Sequence, residues 1–363
     1  MRVGLLYALG PDGLGNGSGY DDALDQIEEA DRVGLDSVLF EEHHGDRGCP
    51  AVGSLVCAAA ARTKTIRVGA ANRTVVLDHP VRVAEDFSVA DLIAHGRVIL
   101  GVSPGERPEE FRASGVPWDT RDAHFQEAVE LIRLSWTQDA FQYIGGHVTF
   151  PLSAQGLPGW RREPYQPPFL DQWRRGQVVP QHLAVLPKPF QAPHPPLWVW
   201  AHRRETIEWA AARGLSLLCP SLLTDGEVME RTAWYRDALH GAGRDEAEVE
   251  IGIAREVFLA GEGDRARELA APSLERHLEA SRAETSDEHV GLAYAEGAPV
   301  SELMEKAFLV GSPLELVDRL KTLQAEAGMT HLVARVALPG RRHVDVIEAI
   351  RLLSSQVATR LVA

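Results

Sequence analysis

An apolar, strand-like run followed by an amphipathic, helix-like run recurs along almost the whole chain, and this alternation limits the fold more than any other feature. Residues 3–8 read as a buried strand, and residues 21–33 as a helix with Leu24, Ile27 and Ala30 on one face. Strand patterns return at 37–40, 66–71, 98–102, 197–200, 215–219, 249–259 and 331–338. Helical patterns follow them, at 52–62, 80–93, 121–136, 204–213, 227–240, 265–283, 313–327 and 343–361. In the third of these, Phe125, Ala128, Val129, Ile132 and Trp136 form a continuous apolar stripe. Residues 141–150, broken by Gly145-Gly146, read as a small hairpin. Strands that alternate with helices imply a parallel sheet. Eight such units, with no Gly-x-Gly-x-x-Gly after the first strand, predict a closed (β/α)8 TIM barrel rather than an open dinucleotide-binding sheet. The 363 residues suffice, since such barrels take about 250 residues plus insertions.

Residues 151–196 interrupt the pattern. They hold 11 of the 22 prolines, with Trp160, Tyr165, Phe169, Trp173 and Phe190 among them. Proline neither continues a helix nor donates to a sheet ladder, so little regular structure is expected. The aromatics argue against disorder. The block reads as an irregular insertion before the fifth barrel strand, either a lid over the mouth or an arm on a neighbouring subunit. With no composition break elsewhere, residues 1–363 read as one domain.

The densest ionisable cluster, Glu41-Glu42-His43-His44, follows the second strand directly. Barrels of this kind keep their chemistry at the C-terminal ends of the strands. The residues alone leave two readings open: mutual satisfaction at the rim of a core, or catalysis. Adjacent histidines diverge and no other His or Asp pair has ligand spacing, which argues against a metal site. A net charge of −15 argues against nucleic-acid and anionic-lipid partners. Cys49, Cys57 and Cys219 are odd in number and scattered, so a reducing, cytoplasmic setting is expected. The N-terminal apolar run is too short for a signal peptide, and none approaches the roughly 20 residues of a membrane helix.

Several short stretches share one order and spacing. Glu42-His43-His44 comes first, then His79-Pro80-Val81-Arg82 with Glu85-Asp86. Asp91-Leu92-x-x-x-Gly96-Arg97 runs into Gly101-Val102-Ser103-Pro104-Gly105, followed by Glu110-Phe111 and Gly115. Downstream lie Pro195-Pro196-Leu197-Trp198-Val199, Glu208-Trp209-Ala210-Ala211 with Gly214, and Gly311-Ser312-Pro313. None is specific alone. Together, over nearly the whole chain except 151–182, they resemble the bacterial luciferase-like family of flavin-dependent monooxygenases.

The resemblance implies a barrel that binds reduced flavin mononucleotide (FMN) at its mouth and uses dioxygen to oxygenate an organic substrate, apolar or aromatic given the tryptophan-rich insertion. It also implies a separate flavin reductase and a homodimer packed through helices near the first strands. His43 matches the family's catalytic histidine, a proton shuttle near neutrality. Glu42 is expected to orient that adjacent imidazole, and His44 to be structural. Ala71-Asn72 matches a pair that relatives hold in a cis peptide beneath the flavin ring, with Asn72 placed to hydrogen-bond it. Ser103 and Pro104 stand where the luciferase itself has a cysteine and an arginine. His202, Arg203, Arg204 and Thr206 open a helix at the family's phosphate site, where free N–H groups and an arginine clamp suit an anion. Arg335 is expected to be a salt-bridged rim residue outside the site. The alternatives are an F420-dependent hydride-transfer enzyme on the same barrel and a non-catalytic flavin-binding relative; intact Glu42-His43 argues against the second.

Overall fold

The computed structural model describes residues 1–9, 18–45, 49–151, 161–163, 178–180, 182–282 and 297–361. The chain begins with β1 (Arg2–Tyr7), α1 (Ser18–Arg32), β2 (Ser37–Phe40), α2 (Val52–Arg62), β3 (Arg67–Thr74), α3 (Pro80–Ile93) and β4 (Val98–Ser103). Next come α4 (Pro108–Ser114), α5 (Arg121–Thr137) and the short strands β5 (Tyr143–Ile144), β6 (Thr149–Phe150), β7 (Arg161–Glu163) and β8 (Val178–Pro180). The second half runs β9 (Leu197–Trp200), α6 (Arg204–Ala212), β10 (Ser216–Cys219), α7 (Asp225–Gly241), β11 (Ile251–Leu259) and α8 (Gly263–Arg282). It ends with α9 (Val300–Lys306), β12 (Leu309–Gly311), α10 (Pro313–Ala327), β13 (His331–Arg335) and α11 (His343–Leu352).

Strands β1, β2, β3, β4, β9, β10, β11 and β13 pair in that order, each parallel to the next, and β13 returns to β1. The sheet therefore closes into the expected eight-stranded barrel. Successive strand residues face opposite sides. Val68, Ala70, Val102, Val199 and Ile253 face the helices in the main core. Leu6, Leu39, Ala71, Ile99, Trp198, Trp200, Leu218, Ala254 and Val333 fill the interior. Large and small residues face each other there: a Cβ on Gly252 would lie 2.8 Å from the Trp198 ring. The interior is a plug rather than a pore, so a ligand has room only above it, at the C-terminal mouth. Among the described residues no helix is long and apolar enough to cross a membrane.

Three elements differ from expectation. The short helix α4 falls where no element is assigned from sequence, because seven residues give too little periodicity. After β11 the chain leaves the barrel: its end pairs with β12, and α8 packs with α9 over a second small core. In that core Ala266, Ala270, Leu274 and Leu278 meet Leu303, Met304 and Phe308. Finally, most of the proline-rich block (152–160, 164–177 and 181), where the lid or arm was expected, lies outside the described residues, as do 10–17 and 46–48. Its described tail is pinned along the barrel wall. Leu183 bridges Phe141, Lys188 Nζ donates to the Ser135 carbonyl at 2.7 Å, and Gln191 holds Asp91 through its backbone and side-chain N–H groups, both at 2.8 Å.

Candidate active site

Beyond Phe40 the backbone continues outward, and alternation sorts the ionisable cluster into two pairs. Glu41 and His43 share one side, Glu42 and His44 the other. Glu41 Oε2 lies 3.6 Å from His43 Nε2 and is ion-paired with Arg335 Nη2 of β13. Burial opposes its charge, but Arg335 and His43 overcome this and hold the carboxyl at about 2. Glu42 Oε1 lies 2.6 Å from His44 Nε2; Glu42 also pairs with Arg73 and accepts the Thr74 N–H at 2.9 Å. The expectation that Glu42 orients His43 is therefore corrected: the partner of His43 is Glu41, because residues two apart share a face and neighbours do not.

The charged chain continues across the mouth. Arg335 Nε lies 3.6 Å from Glu256 Oε1, and His277 Nε2 of α8 lies 3.1 Å from the same oxygen. Burial would raise the Glu256 carboxyl, yet His277 and Arg335 keep it at about 2. Sequence reasoning missed Glu41, Glu256 and His277 and left Arg335 out. A signal was present for three of them: Glu41, Arg335 and Glu256 each fall two residues after an inward-facing Leu39, Val333 and Ala254, where β2 and β13 end and where β11 leaves its pairing with β13. His277 gave none, since it comes from the helix that turned back over the rim.

Ala71 and Asn72 lie on a β-bulge, where the β3–β4 register shifts between Ala70 and Arg73. The cis peptides among the described residues precede Pro151, Pro187 and Pro193, so the expected cis bond between Ala71 and Asn72 is corrected to trans, and the bulge supplies the local irregularity. It also explains Gly101: a Cβ there would lie 2.2 Å from the Ala71 carbonyl oxygen. Asn72 Oδ1 accepts the Glu42 N–H at 2.8 Å, which ties it to the histidine loop. Ser103 Oγ accepts the Gly105 N–H at 3.3 Å and donates to the Asn72 carbonyl at 3.5 Å.

At the end of β9, Trp200 Nε1 donates to Glu106 Oε1 at 3.1 Å, and His202 Nδ1 lies 3.4 Å from that oxygen. Arg203 is held by Asp122 at the start of α5, with Nη1 donating at 3.0 Å. Arg204 is turned to solvent and bonds Glu208 at 2.7 Å, whereas Thr206 is buried. The N-terminus of α6 has no side-chain cap, whereas α7 and α10 are closed by the capping boxes of Thr224 with Glu227 and Ser312 with Glu315. Hydrogen bonds thus join Glu42 of the histidine loop, Asn72 and Ser103 around one mouth, while His202 and Arg203 are held by Glu106 and Asp122 of the segments that follow β4; Arg204 stands apart. Among the described residues no group of three or more side chains is arranged to hold a metal. A groove of about 530 Å³ lies on the opposite, floor side, lined by His95, Phe190, Gln191 and Glu248 among others; none of the ionisable mouth residues reaches it.

Comparison with known proteins agrees with this geometry. The family model described as luciferase-like monooxygenase matches residues 1–331. The oxygenase component of a flavin-dependent trigonelline monooxygenase from Acinetobacter baylyi is 23% identical over 324 residues, covering 84% of this chain and 80% of its own. An F420-dependent glucose-6-phosphate dehydrogenase from Amycolatopsis mediterranei is 26% identical over 326 residues, covering 86% of this chain and 87% of its own. The crystal structure of the monooxygenase RslO1 from Streptomyces bottropensis superposes with a TM-score of 0.80 at 24% identity, over 98% of both chains. Closed barrel, strand-end histidine loop and family match concur: this chain is an oxidoreductase of the luciferase-like monooxygenase family.

Proposed function

We propose that the protein is the oxygenase of a two-component flavin monooxygenase, acting on a small apolar or aromatic organic substrate with reduced FMN and dioxygen. The observation that carries this is His43, a partly exposed imidazole facing an ionised, buried carboxylate above the apolar barrel plug. When bound, reduced FMN supplies the electrons that activate dioxygen for transfer to the substrate. The residues fit such a group. The β3 bulge brings the polar side chains of Asn72 and Ser103 beside the apolar plug, where the ring would lie. The uncapped α6 N-terminus, with Thr206 in its first turn, offers N–H groups to the phosphate. Arg203, half-buried and held beside the helix start by Asp122, would be the clamp there rather than the solvent-facing Arg204, and His202 beside Glu106 would be a further contact. His43 gives and takes protons at the mouth, Glu42 braces the loop through Arg73 and Thr74, and the plug of aliphatic and aromatic residues below excludes water.

A separate reductase is supported by the trigonelline relative, which is named as an oxygenase component. A homodimer is supported by Val89, Leu92 and Ile93, large apolar residues exposed on α3. Three unpaired cysteines suit a cytoplasmic setting. The second reading, F420-dependent hydride transfer, is favoured by the 26% match to the glucose-6-phosphate dehydrogenase. Titration of purified protein with each reduced cofactor, with dioxygen uptake followed in parallel, separates the two. Reduced FMN is expected to bind and to support uptake; tight F420 binding without uptake overturns the oxygenase reading. Arg203→Ala is expected to weaken FMN binding roughly tenfold, the loss of one charge-assisted contact, and to leave riboflavin binding unchanged.

A further inference from the structure

Resting on that reading of His43, we propose that Glu41 and Arg335 are positioning residues that set the tautomer and proton affinity of His43, with Glu256 competing for the same guanidinium. The His43 ring faces Glu41 from the β2 extension, and its backbone N–H donates to the Cys49 carbonyl at 3.3 Å. Behind Glu41 stands Arg335 from β13; on the far side of Arg335 stand Glu256 from β11 and His277 from α8. Glu41, Glu256 and Arg335 are 4%, 0% and 8% exposed, so water screens this trio weakly. Two carboxylates share one cation, which leaves one net negative charge between two imidazoles.

Three consequences follow from the geometry. Glu41 Oε2 lies nearest Nε2, so the neutral ring carries its proton there and leaves Nδ1 for proton exchange. Arg335 anchors Glu41, which lies one residue beyond a four-residue strand; among the described residues Arg335 and His43 are the groups that hold its carboxylate. Glu256 draws part of the guanidinium's charge away from Glu41, so the two carboxylates act on His43 in the same sense. Both stay ionised at neutral pH, their carboxyls lying at about 2, so the field on the ring is permanent.

The test is ring-nitrogen NMR of histidine-labelled protein, with no cofactor or substrate, the His43 signals being assigned by their loss in His43→Gln. Wild type is expected to show the Nε2–H tautomer. Glu41→Gln is expected to lower the proton affinity of His43 tenfold or more, the effect of losing an opposite charge at about 4–6 Å, and to mix the tautomers. Glu256→Gln is expected to lower it about threefold by the same reasoning at longer range. Arg335→Gln is expected to raise it, and Arg335→Lys, which restores the charge, to leave it within about twofold of wild type. Melting curves confirm that each variant is folded; should Arg335→Gln not fold, the two glutamate variants and Arg335→Lys decide. An unchanged His43 in Glu41→Gln, or shifts of the same sign in Glu41→Gln and Arg335→Gln, overturns the proposal. Because the measurement involves no turnover, its failure is distinct from failure of the oxygenase reading, which stands or falls by the FMN titration.

Discussion

At the floor of the barrel His331 lies fully buried between Ser37 and Arg67, whereas at the mouth His43 is partly exposed and faces Glu41. His331 Nε2 meets Ser37 Oγ at 2.8 Å, and Nδ1 accepts from Arg67 Nη2 at 3.2 Å. Burial first, then the positive charges of Arg67 and Arg2, push its pKa well below the usual value. Asp36, only 3.4 Å away, does not reverse this, because it is bonded to Arg67 at 2.6 Å. The floor imidazole is thus a neutral, satisfied core residue. At the mouth the order of charges is inverted: carboxylates face the imidazoles and the arginine stands behind them. Residue type does not separate a structural histidine from a reactive one; the sign of the nearest charge and access to solvent do.

The harshest way to break the comparison is to remove the mouth's cation. Arg335→Met leaves Glu41 and Glu256 buried without their guanidinium and is expected to cost about 3–5 kcal/mol in chemical denaturation, as when one partner of a buried pair is deleted. A cost below about 1 kcal/mol would show that water reaches the pair, as at an exposed ion pair. Next in size, His43→Ala is expected to slow turnover by about 10²-fold or more while changing the melting temperature little, since its ring is partly exposed. A normal rate would remove His43 from the chemistry.

How much of this could be read from residues alone differs between scaffold and site. The eight strands were legible because each is buried on both faces and reads as an apolar run between helices of clear periodicity. His43, Asn72 and Ser103 were singled out by the family resemblance, and their places at strand ends put them on one mouth. The partner of His43 was not, because adjacency in sequence suggested Glu42, and only the phase of an extended backbone selects Glu41. The floor cluster was hidden for a related reason: Ser37, Arg67 and His331 open three strands far apart in sequence, and only closure of the barrel brings them together. Glu256 and His277 come from a strand and a helix joined over the rim, a contact that no local pattern encodes.

The smallest effect separates the two ends by pH. His331 has a folded pKa below its ordinary 6.5, so below that pH the unfolded chain binds the extra proton. The stability it contributes is complete above about 6.5 and is lost as pH falls below it. Glu41 and Glu256 are lowered from 4.5 to about 2, so their contribution is complete above about 4.5 and is lost as pH falls from there towards 2. Acid therefore loosens the floor before the mouth. In urea unfolding at a series of pH values, His331→Gln is expected to flatten the slope between 6.5 and 4.5 relative to wild type and to keep the steep fall below it. If the two slopes coincide above 4.5, His331 is not the neutral residue described, and the contrast between the ends reduces to exposure alone.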